Sequence, residues 1–116
     1  MGRLTTHVLD TAHGCPGTNI YLELYRVDDR TNCIAHTRTN SDGRCEKPLL
    51  EGDAFVPGVY ELLFKVGDYY REKGIAFSEP AFLDEIVLRF GIANSDDHYH
   101  VPLLVSPYSY STYRGS

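Results

Sequence analysis

Cysteine is scarce and unpatterned in this chain. There are three, Cys15, Cys33 and Cys45. An odd count without a C-x-x-C pair argues against a disulfide scaffold and against a Cys-rich zinc knot, and predicts reduced thiols in a reducing compartment. Basic residues are the minority: 11 Lys and Arg face 16 Asp and Glu, a net charge of −5. No basic run offsets that balance, so no nucleic-acid partner is expected. Long apolar runs are missing too. The longest, around Val101 to Val105, falls far short of the roughly 20 residues a membrane-spanning helix needs, so no membrane partner is expected either. The opening MGRLTTHVLD has no apolar stretch of about 7–15 residues such as a secretory leader carries. The closing Arg-Gly-Ser is not an S-K-L type of peroxisomal address. Both readings predict a cytoplasmic protein. There is no glycine-rich phosphate loop and no paired-carboxylate site. A Ser-His-Asp or Cys-His nucleophile set cannot be read from spacing, because such residues meet only in space.

What the chain does have is period two. With 116 residues it has room for one domain, 1–116. Ile20, Leu22 and Leu24 alternate with Tyr21, Glu23 and Tyr25. Ile86, Leu88 and Phe90 alternate with Val87 and Arg89. Tyr99, Val101, Leu103 and Val105 alternate with His98, His100, Pro102 and Leu104. This is the pattern of half-buried strands. Turn signals fall between the runs, at Gly14-Cys15-Pro16-Gly17, Asp28-Asp29, Ser41-Asp42-Gly43, Pro57-Gly58 and Asn94 to Asp97. The expectation is an all-β sandwich of seven or eight strands, near 4–10, 19–26, 32–40, 44–48, 58–65, 85–91, 98–106 and 108–114. One stretch departs from it. Asp68-Tyr69-Tyr70-Arg71-Glu72-Lys73-Gly74 reads as a short helix with Asp68 as N-cap and Gly74 as C-cap glycine, and Pro80 forbids continuation.

Four features could carry chemistry. His98 and His100 are two apart, so in a strand they share a face, opposite the apolar Tyr99/Val101/Leu103/Val105 set. Two histidines so placed can hold zinc, or act as a general base and its neighbour, or stand exposed on a solvated face. His7 lies inside an apolar strand, where a histidine more often hydrogen-bonds the backbone. Arg44 follows a turn. Over a pocket its planar fork would suit a carbonyl, urea or carboxylate group; elsewhere it is simply solvated. The C-terminal Ser106–Ser116 segment holds three tyrosines at strand spacing and pairs as a final strand. It either fills an interface or brings Tyr113, Arg114 and the terminal carboxylate of Ser116 to a site.

Three segments together carry a resemblance: Leu4-Thr-Thr-His7-Val-Leu-Asp10 with Gly14-Cys-Pro-Gly17; then Asp42-Gly43-Arg44; then His98-Tyr-His100-Val-Pro-Leu-Leu104 running into the closing Tyr113-Arg-Gly-Ser116. They resemble the transthyretin-related 5-hydroxyisourate hydrolase family over nearly the whole chain. The tetrapeptide is the most specific part and the Asp-Gly-Arg turn the least. The resemblance implies a transthyretin-like β-sandwich of two four-stranded sheets with one short helix. It implies a homotetramer, a dimer of dimers whose central channel holds the active sites. It implies hydrolytic opening of the 5-hydroxyisourate ring to 2-oxo-4-hydroxy-4-carboxy-5-ureidoimidazoline in urate breakdown, with no cofactor and no metal. Residue by residue it places catalytic roles on His7, Arg44 and His100, and substrate contacts on His7, Arg44, Tyr113, Arg114 and Ser116. The general base is His7 or His100, and His98 has no assigned role. A small-ligand carrier using the same channel is the rival reading, since a shared fold does not fix function.

Overall fold

The computed structural model describes residues 1–75 and 78–115. The elements, in chain order, are β1 (Arg3–Asp10), β2 (Cys15–Pro16), β3 (Tyr21–Arg26), β4 (Ala35–Arg38), β5 (Leu50–Glu51), a 3₁₀ turn (Gly52–Ala54), β6 (Gly58–Lys65), α1 (Val66–Glu72), β7 (Glu85–Ile92), β8 (His98–Ser106) and β9 (Ser109–Thr112). Two sheets form. One runs β4-β3-β6-β7, antiparallel throughout. The other runs β2-β1-β8-β9, with β5 also paired to β1. In this second sheet β1 and β8 run parallel, and the other pairs are antiparallel.

The alternation read from the sequence is what the burial follows. In β1 the inward positions Leu4, Thr6, Val8 and Asp10 are buried, while Thr5, His7 and Leu9 are half-buried on the outer face. In β8 Tyr99, Val101, Leu103 and Val105 point inward, and His98 and His100 lie on the other face. Leu22, Leu24, Leu62, Phe64 and Ile86 of the facing sheet join Leu4, Val8 and Leu103 in one apolar core. Each such side chain contributes about 1.5–3 kcal/mol when fully buried.

Four boundaries differ from expectation. The 44–48 strand does not form. Arg44 makes only an isolated bridge to His7, and the pairing with β1 falls at Leu50–Glu51. The 32–40 strand shortens to Ala35–Arg38. Thr39 instead folds inward, its hydroxyl accepting from the Ile20 amide at 2.8 Å and donating to the Gly17 carbonyl at 2.6 Å. Cys15–Pro16, read as a turn, pairs briefly with the end of β1, so this sheet has five strands rather than four. The helix begins at Val66, directly after β6, with Lys65 at its N-cap and no side-chain cap bond. Asp68 lies in its first turn, not at the cap. Gly74, at φ +80°, follows the helix as the sequence suggested.

Beneath the helix sits a buried carboxylate. Asp10 has no solvent exposure. It accepts the Tyr69 hydroxyl at 2.8 Å, the Tyr70 hydroxyl at 2.9 Å and a ring N–H of His13 at 2.7 Å. The backbone N–H groups of Ala12 and His13 also donate to it. Burial alone would push the carboxyl up, but these bonds, led by Tyr69, His13 and Tyr70, hold it below the usual carboxylate range. The network ties α1 to the end of β1.

Candidate active site

Three pieces of backbone meet on the outer face of the second sheet. The first two are β1 and β8, whose parallel register sets Thr5 opposite His100 and His7 opposite Pro102. The third is the loop between β4 and β5. On the edge of β1 away from β8, β5 pairs only with Arg3 and Leu4, and β2 only with Leu9 and Asp10. The loop docks in the gap between them. The Val8 amide donates to the Gly43 carbonyl at 2.8 Å, and His7 and Arg44 bridge antiparallel. Gly43 sits at φ +74°, where a Cβ would fall 2.5 Å from the Val8 carbonyl oxygen, so glycine is required both by conformation and by space. Asn40 shapes the turn, its side-chain oxygen accepting the amides of Asp42 and Arg44 at 2.9 and 3.1 Å.

The two histidines converge. His7 Nδ1 lies 2.6 Å from His100 Nε2. The ring centroids are 4.8 Å apart with an 18° interplanar angle. A centroid separation longer than the N–N distance by about two ring radii means that the rings meet edge to edge, joined by one N–H···N bond. The far nitrogen of His100, Nδ1, is 2.8 Å from the Thr5 hydroxyl. His7 Nε2 has no hydrogen-bond partner among the described residues. Burial first, then His100 and Arg44, hold His7 below the ordinary histidine value; burial and then Arg44 do the same to His100. Both rings are therefore neutral near pH 7.

These side chains border a cavity of about 460 Å³, whose lining includes Arg3, Arg44, Lys47 and His98 and, among the described residues, no carboxylate. That volume suits a small molecule, and the charge suits an anion. The C-terminal segment closes one side. The Gly115 amide donates to the His100 carbonyl at 2.7 Å, and a Cβ there would stand 2.9 Å from His100 Cδ2. Tyr113 and Gly115 line the cavity.

His7, Arg44, His100 and Tyr113 are thus brought together. Arg114 is placed differently. Its guanidinium carbon lies 4.0 Å from the centre of the Tyr99 ring and its Nη2 donates to the His98 carbonyl at 3.1 Å, so it pins the tail to β8 beside an adjoining hollow. Ser116 lies outside the described residues. His98 shares the cavity, but among the described residues no hydrogen bond joins its ring to the pair. His7 Nδ1 and His100 Nε2 are engaged with each other in one N–H···N bond. Among the described residues no group of three or more His, Cys, Asp or Glu is placed to hold a metal ion. Sequence reasoning missed Thr5, Asn40, Lys47 and Arg3. Thr5 was readable in principle, as the residue two before His7 on the same face.

A sequence model of the HIUase/Transthyretin family matches residues 4–115. The chain belongs to this family. Its relatives within the HIUase/Transthyretin family include 5-hydroxyisourate hydrolase of Pseudomonas aeruginosa, 68% identical over all of this chain and 93% of that protein. The 5-hydroxyisourate hydrolase of Ralstonia nicotianae is 62% identical over the full length of both. Among solved structures, 5-hydroxyisourate hydrolase of Klebsiella pneumoniae superposes with a TM-score of 0.83 at 29% identity, covering 100% of each chain. An (S)-allantoin synthase superposes with a TM-score of 0.93 at 50% identity; 99% of this chain spans 44% of that longer one.

Proposed function

We propose that this chain is a hydrolase that opens the ring of 5-hydroxyisourate to 2-oxo-4-hydroxy-4-carboxy-5-ureidoimidazoline in urate catabolism. The observation that carries the reading is the edge-joined His7–His100 pair in a cation-lined cavity, in a chain whose relatives bear that activity by name. Ring opening of a cyclic amide needs a base for water and a partner for the carbonyl oxygen. His7 is the better base of the two, because both nitrogens of His100 are engaged and His7 Nε2 has no partner among the described residues. Water gives its proton to His7 Nε2 as its oxygen bonds the carbonyl carbon. The carbonyl becomes an oxyanion facing the Arg44 guanidinium. The C–N bond then breaks, and the departing nitrogen takes the proton from His7. Arg3 and Lys47 add positive potential for an anionic substrate, and the Tyr113 ring offers a face to a planar heterocycle.

No cofactor enters this scheme. We read the protein as a homotetramer, a dimer of dimers. Exposed Phe82 and Tyr108 and the sheet-edge strands β7 and β9 support pairing with further copies. The three free thiols support a cytoplasmic location.

The test follows the absorbance of 5-hydroxyisourate made freshly from urate by urate oxidase. Wild-type protein accelerates its decay well beyond the buffer rate; decay at the buffer rate would sink the reading. Arg44→Ala loses about 10²–10³ in rate, the usual loss for one oxyanion donor. The pH profile is a second check. The base works unprotonated and its folded-state value is lowered, so activity persists as pH falls through the ordinary histidine range and declines only below it. An acid limb centred at or above 6.5, the ordinary histidine value, would contradict the assignment.

A further inference from the structure

Proton bookkeeping across the pair leaves two arrangements. Two neutral imidazoles joined by one N–H···N bond must orient in the same sense. In the first, His7 Nδ1–H donates to His100 Nε2, His100 Nδ1–H donates to Thr5, and His7 Nε2 carries a bare lone pair. In the second, the Thr5 hydroxyl donates to His100 Nδ1, His100 Nε2–H donates to His7 Nδ1, and His7 Nε2 carries a proton. Only the first leaves a base. The heavy-atom distances, 2.8 Å and 2.6 Å, serve both equally.

We propose that Thr5 is a positioning residue, its hydroxyl accepting the His100 Nδ1–H and so fixing both rings in the tautomers that leave His7 Nε2 bare. The inference rests on the hydrolase reading above and deepens it. Two observations carry it. First, Thr5 is the register partner of His100 across the parallel β1–β8 ladder, so its hydroxyl is held at that nitrogen by backbone pairing on both sides. It has no other hydrogen bond among the described residues that would turn its lone pairs away. Second, among the described residues the groups facing the pair are cationic or neutral. Arg3 comes from β1 itself, His98 from β8, Arg44, Cys45 and Lys47 from the docked loop, and Tyr113 from the tail. Burial pushes the Cys45 thiol up to about 11, so it stays uncharged. A lone pair on His7 Nε2 is stabilised by the three cations, and an N–H dipole in its place is opposed by them. The field selects the bare-nitrogen arrangement, and that arrangement needs an acceptor at the far end of the chain. A threonine hydroxyl can accept there; a valine cannot.

When His7 takes a proton from water, the Nδ1 proton can move to His100 Nε2. The charge then spreads over two rings, and Thr5 remains hydrogen-bonded to the His100 Nδ1–H. The pair holds one extra proton, taken from water, until the departing nitrogen takes it back.

The experiment compares wild type, Thr5→Val and Thr5→Ser, with Thr5→Ala standing in should valine disturb the strand. Ring ¹⁵N shifts of His7 and His100 report the tautomers without any substrate, and kcat and KM are read over pH. Thr5→Val is expected to lose its fixed tautomer and to lower kcat by about 10–100-fold, the scale for partners that orient an imidazole, with KM little changed. Thr5→Ser should keep the wild-type shifts and most of the rate. Unchanged ¹⁵N shifts and kcat in the valine variant would overturn the proposal, as would a serine variant as impaired as valine. A wild type without hydrolysis would instead overturn the hydrolase reading, while the ¹⁵N comparison would still decide the role of Thr5.

Discussion

Replacing His7 with asparagine is expected to lower kcat by about 10²–10⁴-fold, the range supplied by a general base. Asparagine is the informative choice. Its amide can occupy the place of Nδ1 and keep the bond to His100 Nε2, 2.6 Å away in the parent. It has nothing at the position of Nε2. The variant therefore removes the basic nitrogen while leaving the neighbouring ring supported. Steady-state decay of the substrate measures the effect, corrected for its spontaneous loss. Thermal unfolding should stay close to that of the parent, because the side chain is half-buried on the outer face of β1. Turnover within a few-fold of wild type would remove His7 from the base role and leave His100 to be tested in its place.

The second large effect concerns folding rather than rate. Asp10→Ala is expected to destabilise the protein by about 3–5 kcal/mol, the scale seen when one partner of a buried charged group is removed. The reason lies in what is left behind. Tyr70 would still have the Val105 carbonyl, 3.0 Å from its hydroxyl. Tyr69, nearly fully buried, would lose its carboxylate acceptor, and the amides of Ala12 and His13 would lose theirs. Against a typical total of about 5–15 kcal/mol, this loss would move the urea midpoint well to the left. The same residue sets a pH dependence. Its folded-state value lies below the usual 3.8. The stability it contributes is thus complete above the ordinary carboxylate range and is lost as pH falls through that range toward the folded-state value. Asp10→Asn should flatten that acid slope. A midpoint unchanged in Asp10→Ala would show that the network contributes little.

The sandwich was legible because β1, β3, β6, β7 and β8 alternate cleanly, and one buried face per strand is what period two reports. The short pieces were not. β2 and β5 are two residues each, too brief for any alternation to show, and β5 is set by where β1 has a free edge. The helix start was misplaced because β6 passes into α1 without a break, and Val66 and Gly67 are buried, which hides the change of period. His7, Arg44 and His100 could each be singled out as candidates, but only the resemblance put them in one site. His7 and His100 are 93 residues apart, and only the β1–β8 register brings them to one face. Arg44 gave even less signal, since a turn arginine looks solvated until the loop is seen in the gap along β1. Arg114 shows the opposite case: next to Tyr113 in sequence, it turns to the Tyr99 ring instead of the main cavity.

The parallel pairing of β1 with β8 also fixes the order in which the protein can become active. β1 is made well before β8, its longest partner. Until β8 emerges, one side of β1 presents unpaired amides and carbonyls, the exposed edge that invites wrong partners. Contacts of such long sequence separation close slowly, because the entropy of bringing distant segments together is spent before the pairing returns it. A nascent chain stalled short of His100 would hold His7 and the Arg44 loop without the second imidazole, Thr5 without its register partner, and no tail to close the cavity. The site is therefore assembled only after His100 and the tail behind it have been made.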